Sequence, residues 1–387
     1  MGLPKSNGVR RLLEFSDMKS GFVPPPYPYD RLNQIREIPS ECGIELLDLS
    51  IGTPYDPVPE IALEVIDSMS LARSYPASLG SARLRESAAA WMLRRLAVEV
   101  PVASVAACVG SKEFVASLPS YLKLRDPSRN TVLYPSVSYP TYEMGAKLAG
   151  CNAVAVPILE DGQLDLDSLA PSVLEDTLCC WLNSPANPTG KVSDYTNAVE
   201  MGRKWGFVVV SDECYIEFTW SKAPQTVLQH GCEGVLALHS LSKRSNFAGG
   251  RVGFYAGDQE LVSYLSEVRK HAGLMAPGPM QLVAAALLDD QHHVEVQAKR
   301  YVDRLSFLGS IARSLGLGAE MPEGGFYLWL TDSRRDGFEL ARYVASRTGI
   351  VGSPGEFYGQ DSVDYLRIAA VADTQTLAAI AAKLMGE

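Results

Sequence analysis

Residues 235–256 read VLALHSLSKRSNFAGGRVGFYA. Two mostly apolar runs, Val235–His239 and Val252–Ala256, bracket a loop of small, hydroxyl-bearing and basic residues. Working outward, similar short apolar runs occur at Leu46–Ile51, Val105–Val109, Thr131–Tyr134, Ala153–Pro157, Leu178–Leu182 and Phe207–Ser211, with longer helical patterns between them. Continuous apolar strands alternating with helices predict an α/β fold, with a mainly parallel mixed sheet covered on both faces. In such a sheet a site forms at the carboxyl ends of the strands.

Past about Ala276 the texture changes. An amphipathic stretch from His292 to Leu315, strand-like runs at Phe326–Leu330 and Tyr365–Ala369, and a helical pattern from Thr374 to Leu384 predict a second, smaller α+β unit. At the other end, GFVPPPYPY (Gly21–Tyr29) reads as an extended arm whose rings are free to pack on something. The expected organisation is therefore an arm with part of the small domain over 1–45, a large domain over 46–275 and a small domain over 276–387. No internal repeat appears, which excludes a solenoid.

The 387 residues are 47% hydrophobic and 21% charged, the balance of an ordinary globular protein. Acidic residues outnumber basic ones 45 to 35, and the net charge of -10 repels nucleic acid as a general partner. Seven cysteines without a C-x-x-C pair read as reduced, mostly buried thiols of a cytoplasmic chain. No apolar run approaches a membrane span, and Lys5, Arg10, Arg11, Glu14 and Asp17 leave no apolar signal core, so neither a membrane nor secretion is expected. Met1–Ser6 fits M-G-x-x-x-[ST], a pattern short enough to arise by chance. The five histidines show no H-E-x-x-H and no cysteine pairing, so no metal is expected.

Four loops at predicted strand ends carry chemistry. Lys243 lies between Ser240, Ser242 and Arg251, where a cationic neighbour and desolvation would lower its pKa and free a neutral amine to attack a carbonyl. Ser240, Ser242 and Arg251 could together hold a phosphate. Asp212 ends the run Val208–Ser211 with Tyr215 three positions on, and could face a cationic ring nitrogen. Asn183–Gly190, NSPANPTG, is a turn-dense loop. Val109-Gly110-Ser111-Lys112 opens a helical pattern whose free amides could meet an anion. A lysine, an acid, a phosphate cradle and an asparagine turn on one sheet match the inventory of pyridoxal phosphate.

N-P-T-G at 187–190, S-D-E-C-Y at 211–215, S-L-S-K at 240–243 and G-G-R-V-G at 249–253 resemble, in order and spacing, the fold-type-I pyridoxal-phosphate aminotransferases. The resemblance implies that Lys243 carries the cofactor and moves the substrate proton, and that Asp212 pairs with the ring nitrogen. Asn187 and Tyr215 would bind the ring's phenolic oxygen, and Tyr139 would stack on the ring. Ser240, Ser242, Arg251 and the Gly110-Ser111-Lys112 turn would anchor the phosphate. Arg367, within the strand-like Tyr365–Ala369, resembles the family's carboxylate-clamping arginine. Gly52 resembles the glycine of the substrate carboxylate pocket. Tyr75 resembles the tyrosine that reaches a neighbouring subunit's phosphate, which implies a homodimer with shared active sites.

Longer strings narrow the resemblance. DLSIGTP at 48–54 with DPVP at 56–59, SYPTY at 138–142, VRKHAG at 268–273 and FYG at 357–359 are similar to the actinobacterial-type succinyldiaminopimelate transaminases of lysine biosynthesis. That implies amino transfer between N-succinyl-LL-2,6-diaminopimelate and 2-oxoglutarate, small amino-acid and 2-oxo-acid substrates with a second acid group. Lys112, Arg269 and Lys270 are the candidate cations for that group. The same cofactor residues would serve an aspartate-, aromatic- or alanine-type aminotransferase or a carbon–sulfur lyase. A non-catalytic sensor fused to a DNA-binding domain is disfavoured by the acidic charge and by a first strand as early as Leu46.

Overall fold

A computed structural model describes residues 22–66, 73–220 and 222–386. The myristoylation-like pattern at 1–6 and Gly21 of the arm lie outside the described residues.

Seven strands form the main sheet in the spatial order Val105–Cys108, Gly253–Gly257, Val235–Ser240, Val208–Asp212, Thr177–Asn183, Thr131–Pro135 and Asn152–Val156. All neighbours pair in parallel except at Gly253–Gly257, which runs antiparallel to both its neighbours. Successive strand residues point to opposite faces. Accordingly Ala107, Leu133, Cys180, Val209 and Phe254 join one hydrophobic cluster, while Ala106, Val132, Cys179, Val210 and Tyr255 join another. Helix Ala82–Leu96 covers the first face with Leu84, Ala88 and Trp91. Helix Ser111–Arg125 covers the second with Phe114, Val115 and Leu118. Because both faces are buried everywhere except along the edge strand Asn152–Val156, the inner strands read as nearly unbroken apolar runs.

The parallel direction brings the loops after residues 108, 135, 183, 212 and 240 to one edge of the sheet. The single antiparallel strand matters here. Its amino end lies at that same edge, so the 240–252 connection starts and finishes beside the other loops.

A second, antiparallel sheet has the order Ser353–Pro354, Tyr365–Ala369, Tyr327–Thr331 and Gly318–Ala319. Helices His292–Ser314 and Thr374–Met385 pack on each other, and Gly337–Thr348 packs on Asn33–Glu41. Phe326, Leu328, Leu340 and Ile368 form a third cluster with Leu32 and Ile35 from near the amino end. No helix among the described residues is long and apolar enough to cross a membrane.

Three sequence expectations are corrected. Leu46–Ile51, expected in the main sheet, forms only the two-residue strand Leu47–Asp48, which pairs with Ile350–Val351. Helix Gly278–Asp289, grouped with the smaller unit, buries Val283, Ala284, Leu287 and Leu288 in the main sheet's cluster. The arm stays irregular only to Tyr27, then turns through Pro28–Leu32 into helix Asn33–Glu41. Of the cysteines, Cys42 is exposed and Cys232 half-buried.

Asp56, in the loop after Leu47–Asp48, joins that loop to helix His292–Ser314. Its carboxylate takes both terminal nitrogens of Arg304, at 2.6 and 2.7 Å, and Gln297 Nε2 at 2.8 Å. Arg304 is 2% exposed. Burial alone would raise the Asp56 pKa, but the bonds from Arg304 and Gln297 and the charges of Arg304 and Arg300 hold it below its ordinary value. Asp56→Ala strands a buried guanidinium, and about 3 kcal/mol of stability should be lost at neutral pH. A folded pKa below the unfolded one gives stability that is complete above the ordinary carboxylate pKa and lost as pH falls through the lowered value. Urea midpoints of the two proteins should therefore converge in acid.

Candidate active site

Asp212 closes its strand in parallel register with Asn183 on the next. Its buried carboxylate accepts from the Tyr142 hydroxyl at 3.0 Å and from the Cys214 amide at 3.2 Å. Burial outweighs these bonds and raises its pKa. Asn183 Nδ2 donates to the Asp212 carbonyl at 2.8 Å, and its Oδ1 accepts from the Asn187 amide at 2.7 Å. One side chain thus ties the acid's strand to the asparagine turn, whose Ser184–Pro185 and Asn187–Pro188 bonds are cis.

Lys243 sits in the short helix Leu241–Arg244, capped by Ser240 Oγ accepting from the Ser242 amide at 3.2 Å. Its ammonium donates to the Gly52 carbonyl. Burial first, then the charges of Arg367 and Arg251, push its pKa down to about 8 against a smaller opposing effect of Cys214. Arg244 beside it is buried and bonds Glu217 at 3.2 Å and the Leu287 carbonyl at 2.6 Å. Glu217 also holds Trp91 Nε1 at 2.7 Å, so the lysine helix is pinned to the segment after Tyr215.

The phosphate cradle is equally built. Gly110, at φ +77°, precedes helix Ser111–Arg125 without any side-chain cap, which leaves the first amides free for an anion. A Cβ at Gly110 would overlap the Arg251 guanidinium. Arg251 itself has φ +48° and donates to the Ala248 carbonyl at 2.9 Å. Glu113, in the helix's first turn, bonds Arg269 at 2.9 and 2.7 Å and the Val109 amide at 3.3 Å. Arg269 is therefore consumed by Glu113, and Lys270 is exposed beside Glu267 at 3.8 Å. Neither lines the site, which corrects their candidacy for a substrate acid group. Lys112 does line it, 5.6 Å from the Tyr27 ring centroid.

Arg367 lies opposite Trp329 in the smaller sheet and is 2% exposed. It donates to Asn187 Oδ1 and to the Ser50 carbonyl, both at 2.7 Å, and its carbon lies 4.2 and 4.8 Å from the Tyr327 and Tyr358 ring centroids. Among the described residues no carboxylate pairs with it, and its Nε has no partner. A buried charge without a counter-charge is costly unless a ligand supplies one.

These groups line one cavity of about 330 Å³. It gathers every sequence-predicted site residue except Arg269 and Lys270, Gly110, which backs Arg251, and Tyr75, which is 95% exposed and outside it. Sequence reasoning missed Tyr29, Tyr142, Asn183 and Tyr327. Asn183 ends the strand that carries the asparagine turn, and Tyr142 follows Tyr139 by one helical turn, so position alone could have raised both. Tyr327 hides inside an apolar strand. An amine poised to be neutral, a buried acid and an uncapped helix start beside Arg251 fit the aldehyde, ring nitrogen and phosphate of pyridoxal 5′-phosphate.

The family described as Aminotransferase class I and II matches residues 44–384. The chain belongs to that family. As a class I and II aminotransferase it is a fold-type-I transaminase that uses pyridoxal 5′-phosphate with amino-acid and keto-acid substrates. The 4-dedimethylamino-4-oxo-anhydrotetracycline transaminase OxyQ of Streptomyces rimosus is 38% identical over 368 residues, spanning 93% of this chain and 99% of OxyQ. LL-diaminopimelate aminotransferase of Aquifex aeolicus is 30% identical over 383 residues, spanning 95% and 97%. The solved probable N-succinyldiaminopimelate aminotransferase of Thermus thermophilus superposes with a TM-score of 0.82 at 26% identity, spanning 93% and 100%.

In this aminotransferase the Gly52 carbonyl meets Lys243, and a Cβ at Gly52 would overlap the Tyr327 hydroxyl, which lies 2.9 Å from the Tyr215 hydroxyl. Gly52→Ala should displace Tyr327 and lower kcat/KM about tenfold, roughly 1.4 kcal/mol of transition-state stabilisation. Adding Tyr327→Phe removes the atom hit hardest and should recover part of the loss, as steady-state kinetics of the single and double variants would reveal.

Proposed function

We propose that this aminotransferase exchanges an amino group between N-succinyl-LL-2,6-diaminopimelate and 2-oxoglutarate. The observation that carries the reading is Arg367, a buried guanidinium with no carboxylate of its own, opening on the cavity that also holds the Lys243 amine. Arg367 grips the carboxylate next to the reacting carbon, with the bidentate geometry a guanidinium allows. Lys112, the second lysine in the cavity wall, takes the distant acid group that both substrates share. The diaminopimelate activities named for the Aquifex and Thermus relatives support this choice.

Bound pyridoxal 5′-phosphate supplies an aldehyde carbon that accepts an amino group and a ring that withdraws electrons from it. Lys243 would hold the cofactor through Nζ and would move the substrate proton. Asp212 would keep the ring nitrogen protonated, its own carboxyl oriented by Tyr142 and the Cys214 amide. Asn187 uses its oxygen on Arg367, which leaves Nδ2 to donate, with Tyr215, to the ring's phenolic oxygen. Ser240, Ser242, Arg251 and the amides of Ser111 and Lys112 would hold the phosphate, and Tyr139 would cover the ring. Tyr75, exposed in the single chain, reaches the phosphate of a second copy in a homodimer.

A second reading, amination of a fused-ring ketone, is favoured by the 38% identity with OxyQ and by Tyr27, Ile51 and Tyr139 in the cavity wall. A donor and acceptor screen on the purified enzyme separates the two. Succinyldiaminopimelate with 2-oxoglutarate should give the highest kcat/KM, and preference for an aromatic ketone acceptor would replace the first reading by the second.

Lys112→Ala should raise KM for 2-oxoglutarate about tenfold, the loss of one charge-assisted bond, and leave KM for an apolar oxo acid nearly unchanged. Equal effects on both would remove Lys112 from substrate selection. Lys243→Ala should fail to develop the visible absorbance of the bound cofactor. Since only the neutral amine attacks, the rate at which the apoprotein captures pyridoxal 5′-phosphate should rise with pH through about 8, not through the ~10.4 of a free lysine. Stopped-flow absorbance would locate that midpoint.

A further inference from the structure

We propose that Tyr29, brought to the site by the N-terminal segment, is a specificity-determining residue. Its hydroxyl donates to the substrate carboxylate held at Arg367, and so separates amino acids from simple amines. The inference rests on the reading of Arg367 as the carboxylate site.

Tyr29 lines the same cavity as Lys243. Its hydroxyl lies 3.1 Å from the Tyr358 hydroxyl and 3.4 Å from Arg367 Nη2. The second distance is long for a hydrogen bond, and Nη2 already has the Ser50 carbonyl at 2.7 Å. The Tyr29–Arg367 contact therefore adds little to the fold, but a carboxylate oxygen seated beside both groups gains two donors together. Burial would raise the phenol's pKa, yet the Arg367 charge and the bonds from Tyr358, Ser353 and Arg367 hold it below the ordinary value. A phenol polarised in this way is a stronger donor to an anion.

The chain fixes Tyr29 to the unit that carries Arg367. Arg31 bonds Glu356 at 2.9 Å and lies 4.4 Å from the Phe338 ring centroid, while the Tyr29 ring packs 5.5 Å from Phe357. Two residues earlier, Tyr27 stands by Lys112. One short segment thus faces both cations assigned to substrate acid groups, and Tyr29 attends the one beside the reacting carbon.

The test uses the holoenzyme and Tyr29→Phe. The dissociation constant of succinate, a non-reacting dicarboxylate, measured by calorimetry, should rise about tenfold, and KM for glutamate similarly, with kcat changed about twofold at most. KM for ethylamine, a donor without a carboxylate, should not move, and the cofactor's visible spectrum should stay as in the parent. Succinate and glutamate constants within about twofold of the parent, or an equal change for ethylamine, would overturn the proposal. Arg367→Lys separates the two failures. If it weakens succinate binding while Tyr29→Phe does not, only the role of Tyr29 falls. If neither variant does, the carboxylate reading of Arg367 falls with it.

Discussion

A guanidinium buried without an anion is the constraint on which the site depends. Arg367 comes from the smaller sheet, its Asn187 partner from a loop of the main sheet, and its Ser50 partner from the segment between them. Tyrosine faces at 327 and 358 replace water around it without neutralising it. The two sheets therefore meet around a positive charge that no carboxylate among the described residues balances. A ligand with a carboxylate completes the packing as well as the chemistry.

The same cavity pushes its two reactive groups toward neutrality from opposite sides. Burial raises Asp212 and lowers Lys243, so the carboxylate is held charged by a cationic partner facing it, while the amine gives up its proton more readily than a free lysine. The neighbours decide how far each shift goes. Asp212 has the Cys214 thiol and amide and the Tyr142 hydroxyl to offset burial, whereas Lys243 has Arg367 and Arg251 acting with burial. Positioning is left to groups one step back. Asn183 spans two strand ends, and Arg244 with Glu217 locks the lysine helix to the segment that carries Tyr215.

Much of this was legible in the sequence because it depends on local rules. Strands buried on both faces must be largely apolar, so six strands of the main sheet appeared as runs for that reason, and the half-exposed edge strand Asn152–Val156 through its alanines and valines, with ends shifted by a residue or two. Lys243, Asp212 and Asn187 stood out because each follows the end of a run, and parallel strands stop at one edge; Arg251 stood out because it leads into the run Val252–Ala256. What escaped reading depends on partners distant in sequence. Leu46–Ile51 has four apolar residues in six and reads as a strand, yet Gly349, Ile350 and Val351 decide where it pairs. Arg269 looks like a free helix charge until Glu113, 156 residues away, is placed against it. Helix Gly278–Asp289 is apolar enough for either cluster, and only the tertiary fold assigns it. Tyr29 reads as one aromatic of an arm, because nothing local tells a ring that covers from a hydroxyl that points inward.

The lone antiparallel strand has a consequence for how the site could be altered. Since Ser240 leaves the edge and Arg251 returns to it, the segment between them is a strap fastened at both ends, with Lys243 near one buckle and Arg251 at the other. Its length sets the spacing between the reactive amine and the anion cradle. Lengthening or shortening it would change the reach from head to tail of any molecule held there, while exchanging its exposed residues would not.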